Sequence, residues 1–205
     1  MNVAVLASGR GTNLRALLQA CAAGAVPARV CLVLSDRPGA PALGRGRAAG
    51  VPCRVLAPRD FPQREAHDRA LAEACRAAGA GLVVLAGYMR LLGPAFLEPW
   101  AGRCINVHPS LLPAFPGLEA PAQALAYGAR VTGATVHFVD GGADTGPVIL
   151  QEAVAIEPDD TPDLLHARIQ AVEWRLLPRA VALFAAGRLA LDGRRVRIRE
   201  EAPHA

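Results

Sequence analysis

The chain has 205 residues, of which 52% are hydrophobic and 20% are charged, so its composition is that of a globular protein and not of a disordered one. All 22 basic residues are arginine, against 18 acidic residues, which leaves a formal charge of +4. The absence of lysine excludes Schiff-base chemistry and a P-loop phosphate site. Aromatic residues make up 4% and do not interleave with basic runs, so we expect no nucleic-acid partner.

We predict from the sequence neither a targeting or membrane segment nor a Cys-x-x-Cys motif. Every uncharged stretch falls short of the ~20 residues that span a bilayer, and the strand-like start Met1-Asn2-Val3 has no charged leader region. We therefore expect a cytoplasmic protein with no membrane partner. Five cysteines in apolar contexts, without a Cys-x-x-Cys pair, predict small buried thiols and no metal site: Cys21, Cys31, Cys53, Cys75 and Cys104.

The first hundred residues alternate short apolar runs with alanine-rich amphipathic segments. The patterns predict strands at residues 3–7, 29–35, 53–56 and 82–86, and helices at residues 14–23, 43–49 and 64–78. The strands are continuously apolar, which is typical of strands buried on both faces of a parallel sheet. We therefore predict a doubly wound, mostly parallel α/β fold, Rossmann-like in its first half, with helices on both faces.

The pattern changes after residue 100. A strand at residues 104–108 precedes a proline-rich loop, and two longer strands at residues 131–139 and 148–156 bracket a glycine-rich loop. Thr161 and Pro162 begin a helix that extends to about residue 186, and Pro178 should kink or split that helix. A hairpin is predicted at residues 189–198. We predict one domain of residues 1–205, with halves 1–100 and 101–205 that share one sheet.

The loop between the first strand and the first helix, residues 8–13, has the sequence Ser-Gly-Arg-Gly-Thr-Asn. Glycines and the free amides of a helix N-terminus suit a phosphate, but the same glycines also suit a tight turn with no ligand. The loop is a poor dinucleotide fingerprint, because Leu14 stands where the third glycine belongs.

Three polar side chains could carry chemistry. Asn106 and His108 share one side of a strand and emerge near its carboxyl end, where open α/β sheets bind ligands. An amide can stabilise an oxyanion and an imidazole can move a proton, although a lone histidine is often structural. Asp144, in the glycine-rich loop, could orient and charge the histidine, or could be an ordinary turn residue.

Further polar residues lie on helices and strands. Glu173 flanks the apolar stripe of the last long helix, where a carboxylate is either solvated or binds hydroxyls or an amine. His67 and His166 are expected at the surface of helices, and His137 is expected to be structural.

Four segments, taken in order, resemble the phosphoribosylglycinamide formyltransferase family: residues 8–14, 85–92, 105–113 and 144–149. The most specific is Asn-Val-His-Pro-Ser-Leu-Leu-Pro, which is followed later by Asp144. The resemblance implies a formyltransferase-type fold, with a nucleotide-binding first half and a folate-binding, catalytic second half. It also implies transfer of the formyl group of 10-formyltetrahydrofolate to the primary amine of glycinamide ribonucleotide in purine biosynthesis.

The resemblance assigns roles by matching position. Asn106, His108 and Asp144 would be catalytic, with Asp144 raising the pKa of His108. The phosphate and ribose would be held by Gly11, Thr12, Asn13, Gln170 and Glu173. The folate would be surrounded by Arg64, Met89, Arg90, Leu91, Leu92, Asn106, Asp140, Gly141, Gly142, Ala143 and Asp144. The protein would be a monomer or homodimer that acts on these small molecules without a metal.

Other functions stay open at this point. The first βαβ unit and Asp36 could belong to a nicotinamide-dependent oxidoreductase, and the fold could also serve a non-catalytic nucleotide or folate sensor. In the wider formyltransferase group, the methionyl-tRNA enzyme and the formyltetrahydrofolate deformylase carry an additional domain, which we do not expect here.

Overall fold

The computed structural model describes residues 1–200, and seven of its strands form one sheet in the order β3-β2-β1-β4-β5-β6-β7. Strands β1 to β5 pair in parallel, whereas β6 runs antiparallel to both β5 and β7. The mostly parallel sheet confirms the predicted fold class. The strand bounds are β1 (Asn2–Leu6), β2 (Arg29–Ser35), β3 (Cys53–Val55), β4 (Leu82–Leu85), β5 (Cys104–His108), β6 (Val131–Phe138) and β7 (Val148–Ala155).

Helices cover both faces of the sheet, so the core has two parts. One part joins one face to α1, α2 and α6 through residues such as Leu17, Leu43 and Ile169, and the other packs α3 and α4 on the opposite face through Leu71 and Phe96. The helices are α1 (Thr12–Ala22), α2 (Pro41–Ala48), α3 (Arg64–Ala77), α4 (Pro94–Leu97), α5 (Ala120–Tyr127) and α6 (Pro162–Ala185). The short helices α4 and α5 are not among the predicted elements.

The last long helix, α6, is continuous through Pro178, so of the two predicted outcomes a split is wrong and a kink stays a prediction. A proline inside a helix removes one hydrogen bond and usually costs about 3 kcal/mol. Pro178 is buried, as are its neighbours Leu177 and Val181. Their burial against the core offsets the missing hydrogen bond.

A two-stranded hairpin follows α6, as the sequence predicts. Its strands are β8 (Leu189–Asp192) and β9 (Arg195–Ile198), which pair antiparallel. Leu189 and Val196 are partly buried and pack against the larger core. Within residues 1–200, none of the helices is long and apolar enough to cross a membrane.

Two expectations about burial are wrong, one for the two histidines on helices and one for the cysteines. His67 is buried, because it lies on the same face of α3 as Leu71 and Cys75, and its Nε2 is 2.9 Å from the carbonyl oxygen of Leu56. Of the five cysteines only Cys75 and Cys104 are buried, and the other three are half-buried. His166, expected at the surface, is also half-buried.

Strand β7 leaves no room for a side chain at Gly133 of β6, which generates a stability prediction. A Cβ there would lie 2.1 Å from the carbonyl oxygen of Glu152 and 2.8 Å from Leu111 Cδ2. Gly133→Ala should therefore force β7 outward and destabilise the protein by about 1–3 kcal/mol or more. Thermal unfolding measures the loss as a lower Tm.

Gly44→Ala is the matched control, since Gly44 lies inside α2 with no atom within 4 Å of its would-be Cβ. Alanine is the better helix former by about 1 kcal/mol, so this variant should be as stable as the wild type or more so. Equal melting temperatures for the two variants would contradict the close approach of the strands.

Candidate active site

The structure brings the three predicted catalytic side chains together. Asp144 Oδ2 lies 3.3 Å from His108 Nδ1, and Asn106 Nδ2 donates to Asp144 Oδ1 at 3.2 Å. The backbone amide of Gly117 donates to Asp144 Oδ2 at 2.9 Å. Asn106 and His108 both reach Asp144, which fits their predicted place on one side of β5.

The loop that carries Asp144 is tightly folded. Asp144 has a φ of 55°, in the left-handed region that non-glycine residues rarely adopt. Asp140 Oδ1 accepts from the amide of Gly142 at 3.1 Å and from the hydroxyl of Thr145 at 2.5 Å. A Cβ on Gly146 would lie 1.8 Å from the carbonyl oxygen of Phe138, so this position requires glycine. The loop thus doubles back beside the end of β6.

His108 is buried, and both of its ring nitrogens face oxygen acceptors. Nε2 lies 2.9 Å from the carbonyl oxygen of Phe115, and Nδ1 faces the Asp144 carboxylate. Burial lowers the pKa of His108, while the Phe115 carbonyl and the charge of Asp144 act in the opposite direction. Asp144 therefore acts in the expected direction, and burial, which has the larger effect, leaves the pKa of His108 lowered overall.

Burial would raise the pKa of Asp144, but contact with His137, the Gly117 amide and His108 outweighs burial and lowers it below the usual value. Asp144 is therefore an ionised carboxylate at neutral pH. It supplies negative charge beside two buried imidazoles.

His137, expected to be structural, belongs to this cluster. Its Nε2 lies 3.3 Å from Asn106 Nδ2 and 3.6 Å from Asp144 Oδ1, and its Nδ1 is 2.8 Å from the carbonyl oxygen of Phe138. The contact follows from the register of the antiparallel pair, in which Asn106 stands opposite His137. A sequence pattern gives no register, so only the presence of a histidine in a long strand could have drawn attention to it.

The predicted phosphate loop leads into α1. Gly11 precedes the helix with a φ of 69°, and a Cβ there would lie 2.7 Å from that of Ala42. Packing against α2 therefore requires glycine at this position even without a ligand. The first amides of a helix have no intrahelical acceptor, so the Thr12 and Asn13 region can also hold an anion.

The predicted ribose residues meet this loop. Asn13 Nδ2 donates to Glu173 Oε2 at 2.9 Å, so residues that are 160 positions apart are in direct contact. Gln170 lies about one turn before Glu173 on α6, and its Nε2 is 3.3 Å from His166 Nε2. Glu173 is buried, so it is not the solvated helix-boundary carboxylate that its position could indicate.

The predicted folate residues form a third group. Arg64 Nη2 donates to the carbonyl oxygen of Leu91 at 2.8 Å. Met89 and Leu91 are 54% and 64% exposed, which is high for apolar side chains, whereas Leu92 is buried in the core that Val139 also contacts. The segment after β4 and the loop after β6 thus adjoin the same apolar cluster.

Comparisons with known proteins agree with this geometry. The sequence profile described as "Formyl transferase" matches residues 1–181. The chain belongs to the formyl transferase family. It is 49% identical over 200 residues to the phosphoribosylglycinamide formyltransferase of Mycobacterium tuberculosis (strain H37Rv), covering 95% of this chain and 92% of that protein.

Solved structures extend the comparison. The crystal structure of glycinamide ribonucleotide transformylase 1 from Symbiobacterium toebii has a TM-score of 0.97 and 52% identity, covering 98% of this chain and 94% of that one. The chain is also 47% identical to the trifunctional purine biosynthetic protein adenosine-3 of Drosophila melanogaster, with 90% of this chain matched to 14% of that protein.

These relatives place the chain among the phosphoribosylglycinamide formyltransferases, and they confirm the predicted family, fold class and enzyme class. It is a transferase for formyl groups in purine biosynthesis. The relatives give no support to the oxidoreductase alternative. The roles of single residues stay predictions.

The buried Glu173 makes the stability of this formyltransferase depend on pH. Burial raises the pKa of Glu173 from 4.5 to about 7, although the hydrogen bond from Asn13 opposes the shift. The folded state therefore binds this proton more tightly than the unfolded state, so its stabilising effect is full below pH 4.5 and is lost as the pH rises through 7.

Glu173→Gln removes that titration and keeps an oxygen for Asn13. Between pH 5 and pH 8 the wild type should lose about 3 kcal/mol of unfolding free energy that the variant does not lose, since each pKa unit corresponds to about 1.4 kcal/mol. Urea denaturation of both proteins at the two pH values measures this difference. Parallel losses in the two proteins would show that Glu173 does not titrate in this range.

Proposed function

We propose that this formyltransferase transfers the formyl group of 10-formyltetrahydrofolate to the primary amine of glycinamide ribonucleotide. The observation that carries the proposal is the direct contact of Asp144 with both His108 and Asn106. The enzyme would act in the cytoplasm on these two small molecules, as a monomer or homodimer, without a metal, nucleic acid or membrane partner.

The reaction needs a site for one oxyanion and one proton. The amine nitrogen attacks the formyl carbon, and the carbonyl electron pair moves onto oxygen to give a tetrahedral intermediate. The carbonyl then re-forms as the bond to N10 of the folate breaks. One proton leaves the attacking nitrogen and one is added to N10, so no proton is gained or lost overall. Acyl transfers of this kind gain most from donors aimed at the oxyanion.

His108 and Asn106 are the donors in this proposal. The two hydrogen-bond acceptors around the His108 ring, Phe115 O and Asp144 Oδ2, are satisfied together only by the doubly protonated ring. The oxyanion would take the place of the Phe115 carbonyl at Nε2. Asn106 Nδ2 faces Asp144 and His137, so donation to the oxyanion requires that one of these contacts opens.

Asp144 would hold the protonated ring and relay the amine proton, directly or through water. An ionised carboxylate at 3.3 Å stabilises an imidazolium by charge, which opposes the effect of burial on the pKa of His108 without outweighing it. The amide of Gly117 and the side chain of Asn106 fix the carboxylate from two sides. The carboxylate is thus oriented before the substrates bind.

The ribonucleotide would bind at the N-terminus of α1. Its phosphate would accept hydrogen bonds from the amides around Gly11, Thr12 and Asn13, and its ribose would meet Gln170 and Glu173. Asn13 Oδ1 is buried and has no hydrogen-bond partner among residues 1–200. An unpartnered acceptor at this place suits the hydroxyl of a bound ligand.

The formyl folate would lie between the segment after β4 and the loop after β6. The exposed Met89 and Leu91 offer an apolar surface for its rings, and Arg64 and Arg90 offer positive charge for its carboxylates. Residues 140–144 would complete the pocket from the other side. The folate supplies the activated formyl group, and the protein supplies its orientation.

One assay separates the candidate functions. Purified protein is mixed with 10-formyltetrahydrofolate, with and without glycinamide ribonucleotide, and formyl loss is followed. Loss that requires the ribonucleotide supports the transferase. Loss without it would indicate a deformylase, and no loss would indicate a sensor.

The catalytic trio generates one prediction. His108→Ala should lower kcat by about 10²–10³, the usual effect of losing one oxyanion donor, and should leave the affinity for both substrates within about threefold. Asp144→Asn should give a loss of similar size, because an amide cannot stabilise the imidazolium by charge. Steady-state kinetics and equilibrium binding measure both effects. A near-normal kcat for His108→Ala would rule out this mechanism.

The phosphate loop generates a second prediction about activity. Gly11→Ala places a Cβ against Ala42, and it requires alanine to adopt a left-handed backbone conformation. The substitution should therefore displace the amides that hold the phosphate. The KM for glycinamide ribonucleotide should rise about tenfold or more, an effect of ~1.4 kcal/mol, while the KM for the folate stays near its normal value. Gly44→Ala on α2 is again the control. Equal rises in both KM values would mean that the phosphate binds elsewhere.

A further inference from the structure

A contact from the C-terminal hairpin reaches the loop that carries Asp144. Arg194, in the turn between β8 and β9, donates from Nη2 to the backbone carbonyl oxygen of Thr145 at 2.8 Å. Thr145 directly follows Asp144 in the chain. The two groups are 49 positions apart, so the hairpin and the loop meet only in the folded protein.

The hairpin that carries Arg194 is held in place by packing, an ion pair and a backbone hydrogen bond. Leu189 and Val196 pack against the larger core, and Asp192 pairs with Arg197 across the two strands at 2.8 Å. The backbone amide of Arg199 donates to the carbonyl oxygen of Arg188 at 2.8 Å and closes the open end. The turn that presents Arg194 is therefore held at both strands.

The loop needs support, because Asp144 has a φ of 55°. A non-glycine residue in that conformation is strained and persists only where its surroundings fix it. The contacts of the carboxylate with Asn106, His108 and Gly117 restrain the side chain. Arg194 restrains the main chain, at the next peptide group.

We propose that Arg194 is a positioning residue for formyl transfer, whose hydrogen bond to Thr145 holds residues 140–146 in the shape that binds the folate and keeps Asp144 on His108. This inference rests on the proposed function, since it assigns a support to the loop that the proposal places around the folate. Arg194 would touch neither substrate.

The experiment compares Arg194→Met with Arg195→Met. Both substitutions remove one positive charge from the same hairpin and keep an unbranched side chain. Arg195 is exposed, and its side chain makes no hydrogen bond among the residues that the structure describes. Arg194→Lys is included because lysine keeps the charge and a donor.

We expect Arg194→Met to lower kcat/KM for 10-formyltetrahydrofolate by about fivefold to tenfold, as for the loss of one charged hydrogen bond that is exposed to solvent. The Kd for tetrahydrofolate, measured by calorimetry, should rise in the same sense. The KM for glycinamide ribonucleotide and the Tm should stay close to those of Arg195→Met. Arg194→Lys should recover most of the loss.

Three results would overturn the proposal: identical kinetics for Arg194→Met and Arg195→Met, equal rises in the KM of both substrates, or a loss that follows a lower Tm alone. Asp144→Asn is measured alongside to separate this failure from that of the proposed function. If Asp144→Asn kept a normal rate, the catalytic assignment would fail, and the calorimetric comparison of the two arginine variants would still decide whether the hairpin supports the loop.

Discussion

The site depends on the ionised carboxylate of Asp144, which has a partner on each side. It accepts from Asn106 and from the Gly117 amide, faces His108 at 3.3 Å, and lies beside His137 at 3.6 Å. These partners lie on two strands, β5 and β6, and on one loop. Every such partner makes ionisation easier, and together they outweigh the cost of burying a charge. Without that charge, both buried imidazoles would lose their electrostatic partner.

Much of the fold could be predicted from the sequence. The continuous apolar runs of β1 and β4 indicated strands covered on both faces, and both strands are almost wholly buried. The alternation of β5 placed Asn106 and His108 on one side, which their shared contact with Asp144 bears out. Local preference was overridden by tertiary packing at Pro178, where the helix could have split but burial in the core keeps α6 continuous.

The rest of the site lay beyond local patterns, because it depends on strand register and on contacts between distant segments. His137 joins the cluster only because β6 runs antiparallel to β5 and places it opposite Asn106. Glu173 is buried because α6 crosses the start of α1, where Asn13 meets it. Neither the direction of β6 nor the crossing of these helices has a signature in a single sequence. The family motifs predict which residues act in the reaction, and the structure shows the partners of each.

The two edges of the sheet have a consequence for how the folded chain behaves at high concentration. Exposed edge strands invite pairing with another molecule, and this is a common route to aggregation. One edge here is β3, which is only three residues long. At the other edge, β7 carries Glu152 within an ion pair with Arg175 of α6, which places charge along that strand. Because β3 is short and β7 carries charge, neither edge strand pairs readily with a strand of a neighbouring chain.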